Sequence, residues 1–237
     1  MFVGGLHRSG TSLLTRCLAQ HPLVSGFEGT GVPEDEGQHL QTVYRPAKDF
    51  GGPGRFAFDP QARLTEDSPL VTDESRRRLM DEWGRFWDMT KPVLVEKSPP
   101  NLVRGRFLEA LFPDARLVMM QRHPLAVAYA TQKWSRTSLR SLIRHWLAAH
   151  EAFEEDLPRL RHVQLVRYED FIADPAATLE AVYGFLGLEP VPVGFDIRAD
   201  ANDAYLARWR AEPRLRRALF VRAFDERVQR FGYSLRA

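Results

Sequence analysis

Cysteine is all but missing from this chain. Cys17 stands alone in 237 residues, so no intramolecular disulfide can form and a thiolate metal cluster is excluded. The thiol falls in a predicted helix and is expected to pack in the core. No apolar run reaches membrane-spanning length, and no charged-then-apolar signal peptide is present. A soluble, cytoplasmic protein is expected. The chain opens directly on its first predicted strand, consistent with a short N-terminal segment having been trimmed. Excess charge is also lacking: the formal net charge is +2, too little for a general nucleic-acid binder, so basic residues must act at sites. Lysine is scarce beside arginine. No internal repeat or low-complexity tract interrupts an ordinary globular composition, 44% hydrophobic and 27% charged. The length suits one α/β domain over residues 1–237, with no need for two.

One further absence is a single lysine. Met1-Phe2-Val3-Gly4 reads as a short apolar strand, followed at once by Gly5-Leu6-His7-Arg8-Ser9-Gly10-Thr11-Ser12. The octet fits the phosphate-loop pattern G-x-x-x-x-G-K-[ST] except that Thr11 stands in the lysine position. In a nucleoside triphosphatase that lysine reaches the β- and γ-phosphates, and the next hydroxyl holds Mg²⁺. Without it the loop can still cradle a phosphate on backbone N–H groups, but it is poorly built to hydrolyse ATP.

Four brief apolar runs, Met1–Gly5, Val93–Glu96, Arg116–Gln121 and Val163–Arg167, read as strands covered on both faces of a parallel sheet. Helical patterns alternate with them. Thr11–Gln20 follows the loop. Asn101–Leu111 is expected to be capped by Asn101 and to stop before Pro113. An apolar stripe runs from Leu139 to Asp156. Asp174 and Pro175 open a helix to Leu186, and Pro213 opens a last helix with Gly232 as its cap. This order predicts an α/β fold of phosphate-loop type in three layers, a central parallel sheet of about four to five strands flanked by helices. Ligands then bind at the carboxyl ends of the strands. Glycine and proline crowd residues 25–69, a loop-rich stretch of the kind that usually serves function.

The strand ends carry the chemistry. Val93-Leu94-Val95-Glu96-Lys97-Ser98 places Lys97 beside the loop, and Arg116-Leu117-Val118-Met119-Met120-Gln121-Arg122 places Arg122 before the helix opened by Pro124. Arg8, Lys97 and Arg122 in one layer suit an anion with more than one phosphate-like group. The ordered set of phosphate loop, Glu96-Lys97-Ser98, strand-Arg122-x-Pro124-helix and Arg167-Tyr168-Glu169-Asp170-Phe171 resembles the sulfotransferases that use 3′-phosphoadenosine 5′-phosphosulfate (PAPS). The likeness is greatest to tyrosylprotein sulfotransferases and their bacterial relatives, whose R-S-G-T-T-L…H-P-x-V is similar to Arg8-Ser9-Gly10-Thr11-Ser12-Leu13…His21-Pro22-Leu23-Val24. It fades between about Thr30 and Pro92.

The resemblance implies roles. Arg8 matches the residue that contacts the transferring sulfonate, and Ser9, Gly10, Thr11 and Ser12 match the 5′-phosphosulfate loop. Lys97 matches a lysine at the reacting centre, Arg122 the arginine on the 3′-phosphate and Tyr168 a tyrosine near adenine. Arg208, in Leu206-Ala207-Arg208-Trp209, matches a donor-binding lysine. PAPS would be the donor and adenosine 3′,5′-bisphosphate (PAP) the product, with no metal required. Such a donor has no γ-phosphate, which accounts for the missing loop lysine. The acceptor would be a hydroxyl on a small molecule or peptide, selected by residues 25–92, with no nucleic-acid partner. Nothing in the chain specifies an oligomeric state.

Two departures from the family pattern stand out. A serine that also binds the 3′-phosphate is replaced by Ala130, with Thr131, Gln132 or Lys133 as possible substitutes. The family's catalytic glutamate falls on Gly29, next to Glu28. A hydroxyl attacking sulfur must lose a proton. Glu28, Glu34 and Glu36 are candidates for the base, with His7 and His39 behind them; Glu36, in the turn Glu36-Gly37-Gln38, is favoured. Two other readings stay open: a phosphate-loop kinase using Lys97 or Lys133, and a non-catalytic nucleotide-binding protein. His145 and His150 lack helical ligand spacing. Gly51-Gly52-Pro53-Gly54 reads as a turn, Arg76-Arg77-Arg78 as a solvated helix face, and Trp83, Phe86 and Trp87 as a helix packing face.

Overall fold

Side-chain alternation along the central strands sorts the chain onto two faces of one sheet. The computed structural model describes residues 1–192, 194, 197, 198 and 200–236. Its elements are β1 (Phe2–Gly5), α1 (Thr11–Leu18), β2 (Val24–Ser25), α2 (Asp73–Trp83), β3 (Val93–Leu94), β4 (Glu96–Lys97), α3 (Gly105–Leu111), β5 (Leu117–Gln121), α4 (Pro124–Ser135), α5 (Leu139–Asp156), β6 (Val163–Arg167), α6 (Tyr168–Ala173), α7 (Pro175–Leu186), α8 (Asp203–Arg210) and α9 (Arg214–Gln229). The main sheet is four-stranded and parallel, in the order β4-β1-β5-β6. Phe2, Leu117 and Met119 point to one face and pack with apolar residues of α2–α5, α8 and α9. Val3, Val118, Met120 and Val166 point to the other and meet α1, α6 and α7, with Cys17 buried there. The expected α/β architecture with helices on both faces is therefore what the chain adopts.

The expected strand over Val93–Glu96 is split. β3 pairs with β2, whereas β4 pairs with β1 in the register Phe2 to Glu96 and Val3 to Lys97. Val95 is the pivot: its N–H donates to Ser25 O (2.8 Å) and its carbonyl accepts from Trp87 Nε1 (2.9 Å). The helix expected from Asn101 is also displaced. Pro99–Val103 forms a 3₁₀ turn, and the α-helix starts at Gly105. Asn101 is buried instead of capping, and its Nδ2 donates to Val3 O (3.0 Å) and to Glu96 Oε2 (2.5 Å). A carboxyl buried without donors carries a heavy desolvation cost, and Asn101 is placed to relieve it. Gly232 lies beyond the end of α9, with φ 76° and its N–H on Gln229 O. α6 and α8, of six and eight residues, are too short to show an apolar stripe in sequence.

Between β2 and α2 the chain runs through short 3₁₀ turns, as the glycine and proline content implies. These turns are fastened to the core. Buried Arg104 donates to Ala62 O (3.1 Å) and Arg45 O (3.0 Å), and Ala57 N–H donates to His145 Nε2 (3.2 Å). Trp83 Nε1 donates to Gly37 O (2.9 Å). Trp83 is the only member of the Trp83, Phe86 and Trp87 trio that lies on the helix, since α2 ends there. His150 stacks on Trp146 at 3.9 Å, a packing role shared with His145 against Phe56.

Asn101→Leu keeps the volume but removes both bonds and one donor to the Glu96 carboxyl. The variant should lose about 2–3 kcal/mol, seen as a lower urea midpoint at unchanged slope. A midpoint equal to that of the parent protein would refute this account of Asn101.

Candidate active site

β1, β4 and β5 end on the same edge of the sheet, and each delivers one part of the site. After β1 the chain turns tightly. Ser9 N–H donates to Leu6 O (3.0 Å), Arg8 takes φ 69° and Gly10 takes φ 108°. Glycine is required at position 10 twice over, because a Cβ there would also strike the Tyr168 ring. α1 then starts at Thr11 without a side-chain cap among the described residues. Its first N–H groups have no intrahelical acceptor, and its dipole favours an anion. Ser9 Oγ is buried beside them with no partner among the described residues. Together these groups form a cradle of donors.

β4 supplies Lys97 and, on its opposite side, Glu96. Lys97 is buried; its Nζ donates to Glu34 O (2.6 Å) and lies 3.5 Å from Glu36 Oε1. Glu96 accepts from Ser98 Oγ (2.5 Å), and burial pushes its carboxyl up to about 7 despite donors from Ser98 and Asn101. Gly37 allows the Glu36–Gln38 turn to press against Glu96, where a Cβ would collide with the carboxyl.

β5 hands on to Arg122. Its guanidinium donates to Asn202 Oδ1 (2.8 Å), Arg8 O (2.9 Å) and Ala201 O (3.3 Å), and lies 3.9 Å from the Tyr168 ring centroid. Burial lowers its pKa, opposed by Tyr168 and Glu169.

A cavity of about 600 Å³ joins these parts, bounded by Arg8, Gly10, Thr11, Ser12, Glu36, Arg122 and Tyr168 among the residues predicted from sequence. Lys97 lies just behind, facing a smaller space of about 90 Å³ with Ser12, Arg16 and Glu34. Glu34 separates the two spaces: its Oε2 accepts from Ser12 Oγ (3.2 Å), and its backbone takes φ 55°. Burial raises the Glu36 pKa, with Lys97 and the Gln38 amide opposing the shift. His7 and His39 share the cavity. Burial, aided by Lys97 and His39, pushes His7 down to about 3, and burial with Lys48 and Lys97 lowers His39. Both imidazoles are thereby biased to the neutral form.

The structure leaves other predicted residues outside the cavity. Glu28 is exposed and is not among its walls. Arg208 is exposed as well, with its guanidinium 4.3 Å from the Tyr129 ring centroid and bonded to Gln132 Oε1 (3.1 Å). Beside the buried Ala130, Thr131 reaches the cavity, whereas Gln132 pairs with Arg208 and Lys133 lies over Tyr205. Sequence reasoning missed Arg16, Lys48, Trp134 and Asn202. Arg16 was legible as the residue four after Ser12 on one helix face. Trp134 is 70% exposed at the cavity, with Arg8 over its ring at 5.5 Å. Asn202 gave no local signal, since its partner Arg122 is far away in sequence. Among the described residues no group of three or more His, Cys, Asp or Glu side chains is gathered to hold a metal ion.

Comparison with known proteins gives a consistent outcome. Residues 1–192 match the model of the sulfotransferase family. Nodulation protein NoeE of Sinorhizobium fredii is 25% identical over 231 residues, covering 82% of this chain and 51% of that protein. Protein-tyrosine sulfotransferase 2 of Gallus gallus is 26% identical over 199 residues, covering 79% and 51%. The chain thus spans about half the length of these curated relatives. A sulfotransferase from Alicyclobacillus acidocaldarius shares the fold with a TM-score of 0.56 at 19% identity, covering 97% of this chain and 94% of that one. The sulfotransferase domain from the curacin biosynthetic pathway does so with 0.55 at 17%, covering 98% and 97%.

The high proton affinity of folded Glu96 has a measurable consequence. Between the ordinary carboxyl value of 4.5 and about 7, the unfolded chain has released this proton while the folded chain keeps it. Its contribution to stability is fully present below pH 4.5 and is lost as pH rises through about 7. Relative to Glu96→Gln, the parent protein should lose about 2–3 kcal/mol between pH 5 and pH 8, measured by paired urea melts. A pH-independent difference would contradict it.

Proposed function

The chain belongs to the sulfotransferase family, and from that premise we propose that it moves a sulfonate group from PAPS to a hydroxyl acceptor by in-line displacement, acting in the cytoplasm. The observation that carries this reading is the convergence, around one cavity, of an uncapped helix start, the cations Arg8 and Arg122 and a buried carboxylate, with Lys97 just behind it. The residues fit such a donor. The first-turn N–H groups and the orphaned Ser9 Oγ suit the oxyanions of the 5′ arm, with Thr11 and Ser12 at the helix start. Arg122 has donors left over beyond its three protein acceptors, which suits the 3′-phosphate, and Thr131 stands nearest to the role vacated at Ala130. Tyr168, packed under Gly10, would hold the adenosine end. Arg208 would need to leave Tyr129 to take part. The free thiol of Cys17, buried and pushed up to about 11, is compatible with a reducing compartment.

The chemistry assigns each side chain a task. PAPS supplies an activated sulfonate, and sulfuryl transfer, like phosphoryl transfer, depends on alignment and on cations at a loose transition state. Arg8 acts electrostatically through its guanidinium, not as a proton donor. Lys97 adds a second cation beside the reacting centre. Glu36 accepts the proton of the attacking hydroxyl: burial raises its affinity for that proton, while Lys97 and Gln38 keep the ionised form accessible. The acceptor oxygen forms a bond to sulfur, the bond from sulfur to the bridging phosphate oxygen breaks, and PAP leaves. Residues 25–92 form the acceptor side, with Pro33, His39, Lys48 and Pro53 on the cavity wall. The acceptor is a small molecule or peptide hydroxyl.

Transfer of labelled sulfonate from PAPS, with any acceptor that the parent protein turns over, tests these roles. Glu36→Gln should lower kcat by roughly 10²–10⁴-fold while PAP binding is retained, and Arg8→Ala should lower turnover on a similar scale with the fold intact. Near-parental turnover by Glu36→Gln would remove it from the role of base. Near-parental turnover by Arg8→Ala would remove Arg8 from its electrostatic role, and no transfer from PAPS by the parent protein across hydroxyl acceptors would sink the sulfotransfer assignment.

A further inference from the structure

We propose that Gln38 is a positioning residue for the reacting carboxylate: its side-chain amide clamps Glu36 against Lys97, and the Glu96–Ser98 pair at the end of β4 fixes Gln38 in turn. The role rests on Glu36 acting as the base. Gln38 is 1% exposed, and each of its polar groups is engaged. Its backbone N–H donates to Ser98 Oγ (2.8 Å), and its carbonyl accepts from Gln41 Nε2 (3.2 Å). Its Oε1 accepts from Ala47 N–H (2.7 Å), and its Nε2 donates to Glu36 Oε2 (2.5 Å).

The orientation of that amide is forced. Ala47 N–H can only donate, so the group facing it must be the oxygen, and the NH₂ must face Glu36. An end-for-end flip would set two donors against each other at Ala47 and two acceptors against each other at Glu36. Ser98 completes the chain of constraint. Its single hydroxyl hydrogen goes to Glu96, so the oxygen must accept from Gln38 N–H. Asn101 donates to the other oxygen of Glu96 and ties it to β1 through Val3. Trp83 Nε1 holds the carbonyl of the intervening Gly37. The sheet edge thus dictates where Glu36 points, through residues of which Glu96 and Ser98 never reach the cavity.

The clamp also biases charge. Groups that face Glu36 are Lys97 from β4, Glu34 and His39 from its own loop, and Glu96 beneath it. His7 shares the cavity but is held neutral by burial. An N–H donor at 2.5 Å on Oε2 favours the carboxylate over the acid, against the desolvation that favours the acid. Loss of the donor therefore moves the carboxyl upward in pH without changing any group that would bind the donor nucleotide.

The test needs no acceptor. In protein labelled with ¹³C at the glutamate carboxyl, the Glu36 resonance is the one lost in Glu36→Gln, and its titration midpoint is read in the unliganded protein. Gln38→Met should raise that midpoint by about one unit or more relative to the parent protein. Gln38→Leu removes the same donor without adding a charge, so it should raise the midpoint as well. It decides the matter if the Met variant does not fold. A midpoint within about 0.3 unit of the parental value in a folded variant, well inside the shift that loss of such a donor produces, overturns the positioning role. That failure leaves sulfonate transfer standing, since the turnover of Glu36→Gln is measured separately.

Discussion

The buried guanidinium of Arg122 ties together three parts of the chain that lie far apart in sequence. It holds the carbonyl of Arg8 in the phosphate loop, Ala201 and Asn202 before α8, and the face of Tyr168 at the start of α6. Asn202 passes the connection on to Glu169, which also accepts from His123 N–H and the Tyr233 hydroxyl. Charge-assisted bonds of this kind contribute about 1.5–3 kcal/mol each when buried, so the hub is stiff. Arg8 can then hold φ 69° in the turn, because its carbonyl is fixed from the far side.

A second constraint works from the opposite edge of the cavity. Along β4 and the residue after it, Glu96, Lys97 and Ser98 alternate, which sends the lysine one way and the carboxyl and hydroxyl the other. The Glu34–Gln38 turn straddles that strand end and meets both sides: Glu34 and Glu36 at Lys97, and Gln38 at Ser98. A cradle for anions and a buried carboxylate with raised proton affinity consequently face one cavity. The proposed coupling of donor binding to proton removal rests on their proximity.

Much of this was legible in residue order. The phosphate-loop glycines, the strand-end cations Lys97 and Arg122 and the apolar stripe of α5 each obey a local rule, and local rules survive folding. The departures arise where tertiary demand exceeds local preference. Asn101 gives up a helix cap to satisfy buried Glu96, and Val95 breaks one strand into two because different neighbours claim its halves. Arg208 rested on the resemblance and Glu28 on its place beside Gly29, and neither is among the walls of the cavity. Asn202 depends on Arg122, 80 positions away, and the direction of the Gln38 amide on the Ala47 N–H nine positions on, in a loop without helical or strand period; no spacing pattern encodes either contact. Thr11, where a lysine was missing, proves to be the first residue of an uncapped helix beside a donor-lined turn.

The central claim is that this turn, with Arg122, is built for an adenosine nucleotide bearing phosphates on both its 3′ and 5′ sides, without a metal. Isothermal calorimetry in excess chelator measures it most directly, with adenosine 3′,5′-bisphosphate titrated against ATP run with and without Mg²⁺. The account predicts saturable, chelator-insensitive binding of the bisphosphate and markedly weaker binding of ATP that Mg²⁺ does not rescue. Mg²⁺-dependent binding of ATP tighter than that of the bisphosphate would contradict it.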